Sequence, residues 1–225
     1  MIAAVPEGST PTTSAAAPSA KGSVSGRVRY VADPARPWRF GRFYVNNAKD
    51  GWLTEAVVAL EAPGLGGPAT EPKTVHIDQK DFQFTPETAA IRTGDSIRFT
   101  NSDEALHNVL TFESGSPFNV NLSAGQEHTH RFDEGKGLDQ PIHLTCVFHG
   151  AMRAWVYAFP HPYFGLTGKD GLFRFENVPA GNYVLRLVHP AGGLEWRQPV
   201  TVKANEPVQL EVILTPDQKK NLSAP

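Results

Sequence analysis

The sequence predicts an all-β protein on three observations. Short runs alternate apolar and polar residues, as strands with one buried face do. Glycine (20) and proline (19) are spread through the 225 residues and fall between those runs, where turns need them. No stretch carries the 3.6-residue apolar period of an amphipathic helix.

The chain opens on a segment in which 15 of the first 20 residues are Ala, Ser, Thr or Pro. Such a composition buries too little apolar surface to fold, so residues 1–21 are expected to be a disordered tether. "GSVSGRVRYV" (22–31) is the first predicted strand and "EAVVALEAPG" (55–64) the second, ending in a Pro-Gly turn. The stretch between them, "RPWRFGRFYVNNAKDGW", has little period and reads as a long loop; "LGGPATEPK" reads as a linker. From residue 74 the texture changes. Strands are expected near 74–78, 81–84, 89–92, 96–101 and 107–112, with "TGD" and "NSDE" as turns. "EHTHRF", "PIHLTC" and "MRAWVYAF" continue the set to 159. From 162 the texture changes again, with a Lys-Asp-Gly hairpin turn, a Pro-Ala-Gly turn and a last strand in "EPVQLEVILT". The texture divides the chain into 22–73, a central unit at 74–159, 160–217 and a tail at 218–225.

Bulk properties exclude several function classes. The net charge is −2 and the pI about 6.4, which argues against nucleic acid or an anionic membrane as partner. No segment approaches the ~20 apolar residues that span a bilayer. A single cysteine forms no internal disulfide, so cysteine usage leaves the redox compartment open. "MIAAVP" is too short for the apolar region of a signal peptide, and no basic residue precedes Lys21. An exported protein that has lost its signal would begin in this way. A periplasmic or extracellular location is expected, with a tether or lipid anchor upstream as an option.

The chemistry concentrates in "CVFHGAM" (146–152), which holds the lone cysteine and, Met1 apart, the lone methionine, with a histidine midway. A redox-active copper ion prefers soft sulfur together with imidazole nitrogen. Two His and one Cys thiolate, with a long axial Met, make a blue-copper electron-transfer site. Cys146, His149 and Met152 supply three such ligands, and His107 in "NSDEALHNVLTF" is the candidate fourth. Each has a plain alternative: Cys146 as a buried thiol, Met152 as core filler, His107 as a turn histidine. Their joint order and spacing favour the metal.

The block "FTPETAAIRTGDSIRFTNSDEALHNV", followed by Cys-x-x-His-x-x-Met, resembles the cupredoxin family, plastocyanin and amicyanin among them. Phe84, Pro86, Gly94, Asp95, Asn101, His107, Asn108 and Val109 stand at its motif positions, over roughly 74–159. The loop spacing is similar to the short one of amicyanin. Where such loops carry proline after the second histidine, Gly150 stands here, which removes a restraint on the loop. The resemblance implies a Greek-key β-sandwich holding one copper ion. It implies that Asn108 pins the cysteine loop to the His107 strand from outside the ligand set. It also implies that Phe148, Gly150 and Ala151 surround His149 in the patch where a redox protein docks. The outer parts, above all "DGLFRFENVPAGNYVLRLVH", resemble the carboxypeptidase regulatory-like, transthyretin-like β-sandwich. That resemblance implies that 22–73 and 160–217 form one split unit with the central unit inserted into one of its loops, one β-sandwich nested within another.

A one-electron copper carrier, not an enzyme, is the function expected. A multicopper oxidase or nitrite reductase relative is a poor fit, because Cys146 is flanked by Thr145 and Val147 rather than by histidines. An exported binding or scaffold protein, with copper storage or delivery as a secondary role, is the alternative. Of the other histidines, His128 and His130 share a strand face and could bind a second metal, though no third ligand is evident. His143 should point away from Cys146; His76, His161 and His189 read as ordinary sandwich or loop residues.

Overall fold

The computed structural model describes residues 20–31, 35, 45, 49–67, 70–113 and 117–218. The expected tether lies outside them except for Ala20 and Lys21, the expected tail except for Gln218, and most of the 36–52 loop as well. The described chain is all-β, closing on a single 3-10 turn at Pro216–Gln218.

Among the described residues, two strands precede residue 74: β1 (Lys21–Tyr30) and β2 (Val57–Glu61). Nine follow to residue 159: β3 (Thr74–Lys80), β4 (Gln83–Thr85), β5 (Thr88–Arg92), β6 (Ser96–Asn101), β7 (His107–Thr111), β8 (Phe118–Leu122), β9 (Glu127–Arg131), β10 (Ile142–Thr145) and β11 (Arg153–Phe159). The last five are β12 (Phe164–Leu166), β13 (Leu172–Pro179), β14 (Gly181–His189), β15 (Leu194–Val202) and β16 (Pro207–Leu214).

The nine middle strands form two sheets, β4-β3-β6-β9 and β5-β11-β10-β7-β8. Their inner faces enclose one core that includes Ile77, Phe84, Ile97, Phe99, Val109, Leu144, Cys146 and Met152. The others form β13-β1-β16 and β12-β2-β14-β15, around a core that includes Val28, Leu60, Phe173, Leu185 and Leu214. β1 runs parallel to β16 from Ser23↔Pro207 to Tyr30↔Leu214, and β2 is antiparallel to β14. Both ladders join residues on either side of the 74–159 segment.

A third apolar cluster lies between the two pairs of sheets: Val57, Ala59, Leu138, Tyr157, Phe159 and Val188. It explains the pattern of β2. Val58 and Leu60 point into one core, and Val57 and Ala59 point into this junction. A strand covered on both faces needs a continuous apolar run rather than alternation. Polar groups reinforce the seam. Arg186, on β14, makes ion pairs with Glu61 (2.9 Å), Glu195 (3.0 Å) and Asp139 (2.7 Å), the last across the junction. Glu55 Oε2 accepts the Thr88 N–H at 3.1 Å, capping the start of β5.

Two elements depart from the sequence-based expectation. The strand placed at 81–84 begins only at Gln83, because Asp81 and Phe82 have φ of 53° and 59°. They are the two-residue loop of a hairpin that pairs Lys80 with Gln83, and such loops need positive φ at both positions. β8 was not expected. Its "FNVNL" alternates, but its two asparagines disfavour a strand. The fold uses them, since Asn119 Oδ1 and Asn121 Oδ1 accept from Asn108 Nδ2 at 2.6 and 3.0 Å.

Two histidines expected to be ordinary are strongly buried. His189 is 0% and His161 7% exposed. Burial pushes each down to about 4, with the Arg92 charge adding to the effect on His161. A histidine in the unfolded chain titrates near ~6.5. Between those values the unfolded chain binds protons that the folded one refuses. Stability should therefore be full above pH ~6.5 and fall as pH drops toward ~4, by up to about 1.4 kcal/mol per pH unit for each histidine. Urea melts between pH 7 and 4 measure this, and a flat midpoint across that window would contradict it.

Candidate metal centre

β7 lies between β10 and β8, and all five of its residues are buried. Its antiparallel pairing with β10, Thr145 opposite Leu110, carries the chain that leaves β10 back along β7 toward His107. Cys146 is the next residue. Its Sγ accepts the backbone N–H of Asn108 at 3.3 Å. The loop then turns back on itself, with the Met152 N–H donating to the His149 carbonyl at 2.9 Å. His107 (0% exposed), Cys146 (3%) and Met152 (2%) are buried, and His149 is half-buried.

Three of the four sequence-predicted ligands converge. His107 Nδ1 lies 3.1 Å from His149 Nδ1, and Cys146 Sγ lies 3.7 Å from His149 Nδ1. All three ligand atoms are within 4.8 Å of one another. With metal bonds of about 2.0–2.3 Å, two donors sharing an ion stand up to ~4.4 Å apart, so a small inward movement of one ring seats all three. Met152 packs in the same core cluster as Cys146. Two imidazoles, a thiolate and a thioether suit copper better than a hard cation.

The other face of His107 is also engaged. Its Nε2 lies 2.7 Å from Asp103 Oδ2. Asp103 Oδ2 also accepts the Phe82 N–H at 3.0 Å, and Oδ1 accepts the Asp81 N–H at 2.8 Å. Burial works against ionisation of Asp103, but the Phe82 N–H, the His107 ring and the Asp81 N–H together hold its carboxyl below the usual carboxylate range. The Asp103 N–H itself donates to Asn101 Oδ1 at 2.9 Å. Asn101 is anchored in turn by donating Nδ2 to the carbonyls of Ala105 and Leu122, each at 2.8 Å. With Nε2–H committed to a carboxylate, Nδ1 of neutral His107 keeps its lone pair toward His149 and Cys146.

Asn108 is held on several sides. Its Oδ1 accepts the Val147 N–H at 3.4 Å, and its Nδ2 donates to β8. Gln79 Nε2 donates to its carbonyl at 3.0 Å. Around His149 the surface is apolar. Phe148 is 47%, Val147 57%, Leu106 44% and Phe82 52% exposed, with Gly150 and Ala151 exposed beside them. An added Cβ at Gly150 would meet nothing within 4 Å. The Phe82 ring stands edge-on to both histidines, 4.8 Å from His149 and 5.5 Å from His107.

Sequence reasoning missed Asp103 and Phe82. The only local signal was an acid four residues before His107, inside a stretch already read as a turn. The remaining histidines lie elsewhere. His128 and His130 share a face and stack along Phe118; among the described residues no third His, Cys, Asp or Glu joins them as a metal-holding group. His143 points outward onto Glu113 at 2.8 Å, and His76 bonds Thr100 at 2.8 Å.

Residues 72–170 match a family described as copper binding proteins, plastocyanin/azurin family. This stretch is similar to copper-binding domains of the cupredoxin type. No curated protein matches the chain. Solved structures similar to part of it include a copper-containing nitrite reductase from Thermus scotoductus SA-01, at 19% identity over 43% of this chain and 24% of that one, TM-score 0.36. The chain thus spans about a quarter of that enzyme's length. A purple cupredoxin from Nitrosopumilus maritimus matches at 22% identity over 37% of this chain and 98% of that one, TM-score 0.32. Amicyanin from Paracoccus versutus matches at 16% identity over 45% of this chain and 96% of that one, TM-score 0.33.

Proposed function

We propose that this cupredoxin-type domain holds a single type 1 copper ion and serves as a one-electron carrier between redox proteins, without catalysing a reaction of its own. The observation that carries the proposal is the convergence of His107 Nδ1, Cys146 Sγ and His149 Nδ1 within 4.8 Å. Those three would hold the ion, with Met152 as the weak fourth ligand; the ion supplies a one-electron couple. The chain's part is to keep the donors in place. His107 is fixed from behind by Asp103, Cys146 by the Asn108 N–H, and Met152 by packing. Donors locked in a dense core move little when the charge of a bound ion changes, which keeps reorganisation small. Their burial also supports a carrier over an enzyme, whose metal needs an open position, and over rapid handover of the ion.

His149 is the half-buried member of the set and would be the route by which the electron leaves, through the patch of Val147, Phe148, Gly150 and Ala151. A small apolar patch favours weak encounters that dissociate quickly, as turnover requires. The test is electron self-exchange in the copper-loaded protein. Glutamate at Ala151 places a charge in that contact and sets like charges against each other. Ala151→Glu should slow exchange by at least about tenfold, the effect of ~1.4 kcal/mol, with the visible spectrum unchanged. Equal rates in the two proteins would place docking elsewhere.

The outer strands fit a carboxypeptidase regulatory-like sandwich into which the cupredoxin domain is inserted at the loop between β2 and β12, and we assign the division on that basis. An exported location goes with the cupredoxin-type reading, whose family is commonly extracytoplasmic, and fractionation of the native host that found the protein in the cytoplasm would reject it.

A further inference from the structure

We propose that Asp103 is the positioning residue of the metal centre: one carboxylate both orients His107 for metal binding and locks the hairpin turn that lays Phe82 across the two histidines. The inference rests on the copper reading above for its effect on the ion, and on the geometry alone for its effect on the chain.

Asp103 engages three donors with two oxygens. Oδ2 takes His107 Nε2 at 2.7 Å and the Phe82 N–H at 3.0 Å; Oδ1 takes the Asp81 N–H at 2.8 Å. The turn it grips is one that ordinary side chains avoid, since Asp81 and Phe82 both have positive φ. A bulky aromatic in that region is strained and needs its surroundings to hold it. Two charge-assisted hydrogen bonds to successive backbone N–H groups supply that hold. The result places the Phe82 ring 4.8 Å from His149 and 5.5 Å from His107, on the solvent side of the pair.

The same carboxylate sets the chemistry of His107. A ring whose Nε2–H is bound to an anion presents Nδ1 as the lone pair and becomes a stronger donor. The negative charge sits one ring away from the ion and favours its more highly charged state. The Asp103 side chain is 13% exposed, so its charge is screened less than that of a fully exposed carboxylate. Asp103 therefore acts in two ways: it organises a site before metal arrives, and it weights a bound copper ion toward Cu(II).

Asp103→Asn tests both actions, because it removes the charge while keeping the shape. In the copper-free protein, wild type should show a slowly exchanging, strongly deshielded His107 Nε2–H resonance. In Asp103→Asn that resonance should move upfield or exchange at least tenfold faster. In the copper-loaded variant the visible band should persist, while Cu(II) affinity falls about tenfold and Cu(I) affinity stays level. For a one-electron couple this raises the reduction potential by about 59 mV. An unchanged potential together with an unchanged ring resonance would overturn the proposal. So would a copper-free wild type with no protected Nε2–H signal, a result that needs no variant to fold. Failure of the copper reading looks different: wild type would take up Cu(II) without a thiolate band, and the ring resonance would still decide whether Asp103 orients His107.

Discussion

Replacing Cys146 with serine is expected to abolish the intense visible band that Cu(II) should give with the wild-type protein. That band needs a thiolate on the ion, and Cys146 is the lone cysteine of the chain. Serine is close to isosteric, keeps the loop and can still accept the Asn108 N–H that Sγ accepts at 3.3 Å. The variant should therefore fold, and its loss of colour should be complete rather than graded. Copper should bind orders of magnitude more weakly, because a neutral hydroxyl is a poor ligand for a soft ion. Titration with Cu(II), followed optically and by equilibrium dialysis, measures both effects. A serine variant that kept the band would falsify the ligand assignment.

The largest stability effect should come from a residue remote from the metal. Phe159 is 1% exposed and stacks on Phe164 with centroids 4.5 Å apart and planes at 11°. It belongs to the junction cluster rather than to either sandwich core. Phe159→Ala should cost about 3–5 kcal/mol, the range for deleting a buried aromatic ring. For a chain of this size each kcal/mol lowers the melting temperature by about 2–4 °C, so a drop of roughly 6–20 °C is expected. β11 runs from Arg153 to Phe159, about 20 Å at ~3.3 Å per residue, and the 146–152 loop lies at its other end. The copper spectrum should therefore stay as in wild type. Calorimetry adds a second readout. If the junction couples the two sandwiches, wild type melts in one transition and the variant separates into two. A loss below about 1 kcal/mol would mean that the junction carries little of the stability.

How far the fold could be read from the sequence depended on whether its cause was local. β1, β6, β10 and β16 were legible because one face of each is the more buried and the alternation shows it. β2 was legible for another reason: both faces are covered, and the run is apolar throughout. β8 was not, because what recruits Asn119 and Asn121 is the amide of Asn108, ten or more residues away. The 81–82 turn was taken for strand because Asp-Phe carries no turn glycine; its conformation is supplied by Asp103.

The site divides along the same line. The sequence by itself determined the donor types and the short loop that carries three of them, because Cys146, His149 and Met152 lie within one turn of chain. It also determined the all-β class, because alternation and turn residues are local properties. Only the tertiary structure decided which face of His107 meets the other donors, that Asp103 grips the opposite face, and that Phe82 stands over the pair. Asp81 and Asp103 are 22 residues apart, and His107 and His149 are 42 apart. What joins them is the pairing of β3 with β4 and β6, and of β7 with β10. A hydrogen bond needs its atoms placed to within a few tenths of an ångström, and for residues so far apart that precision comes from sheet register and core packing.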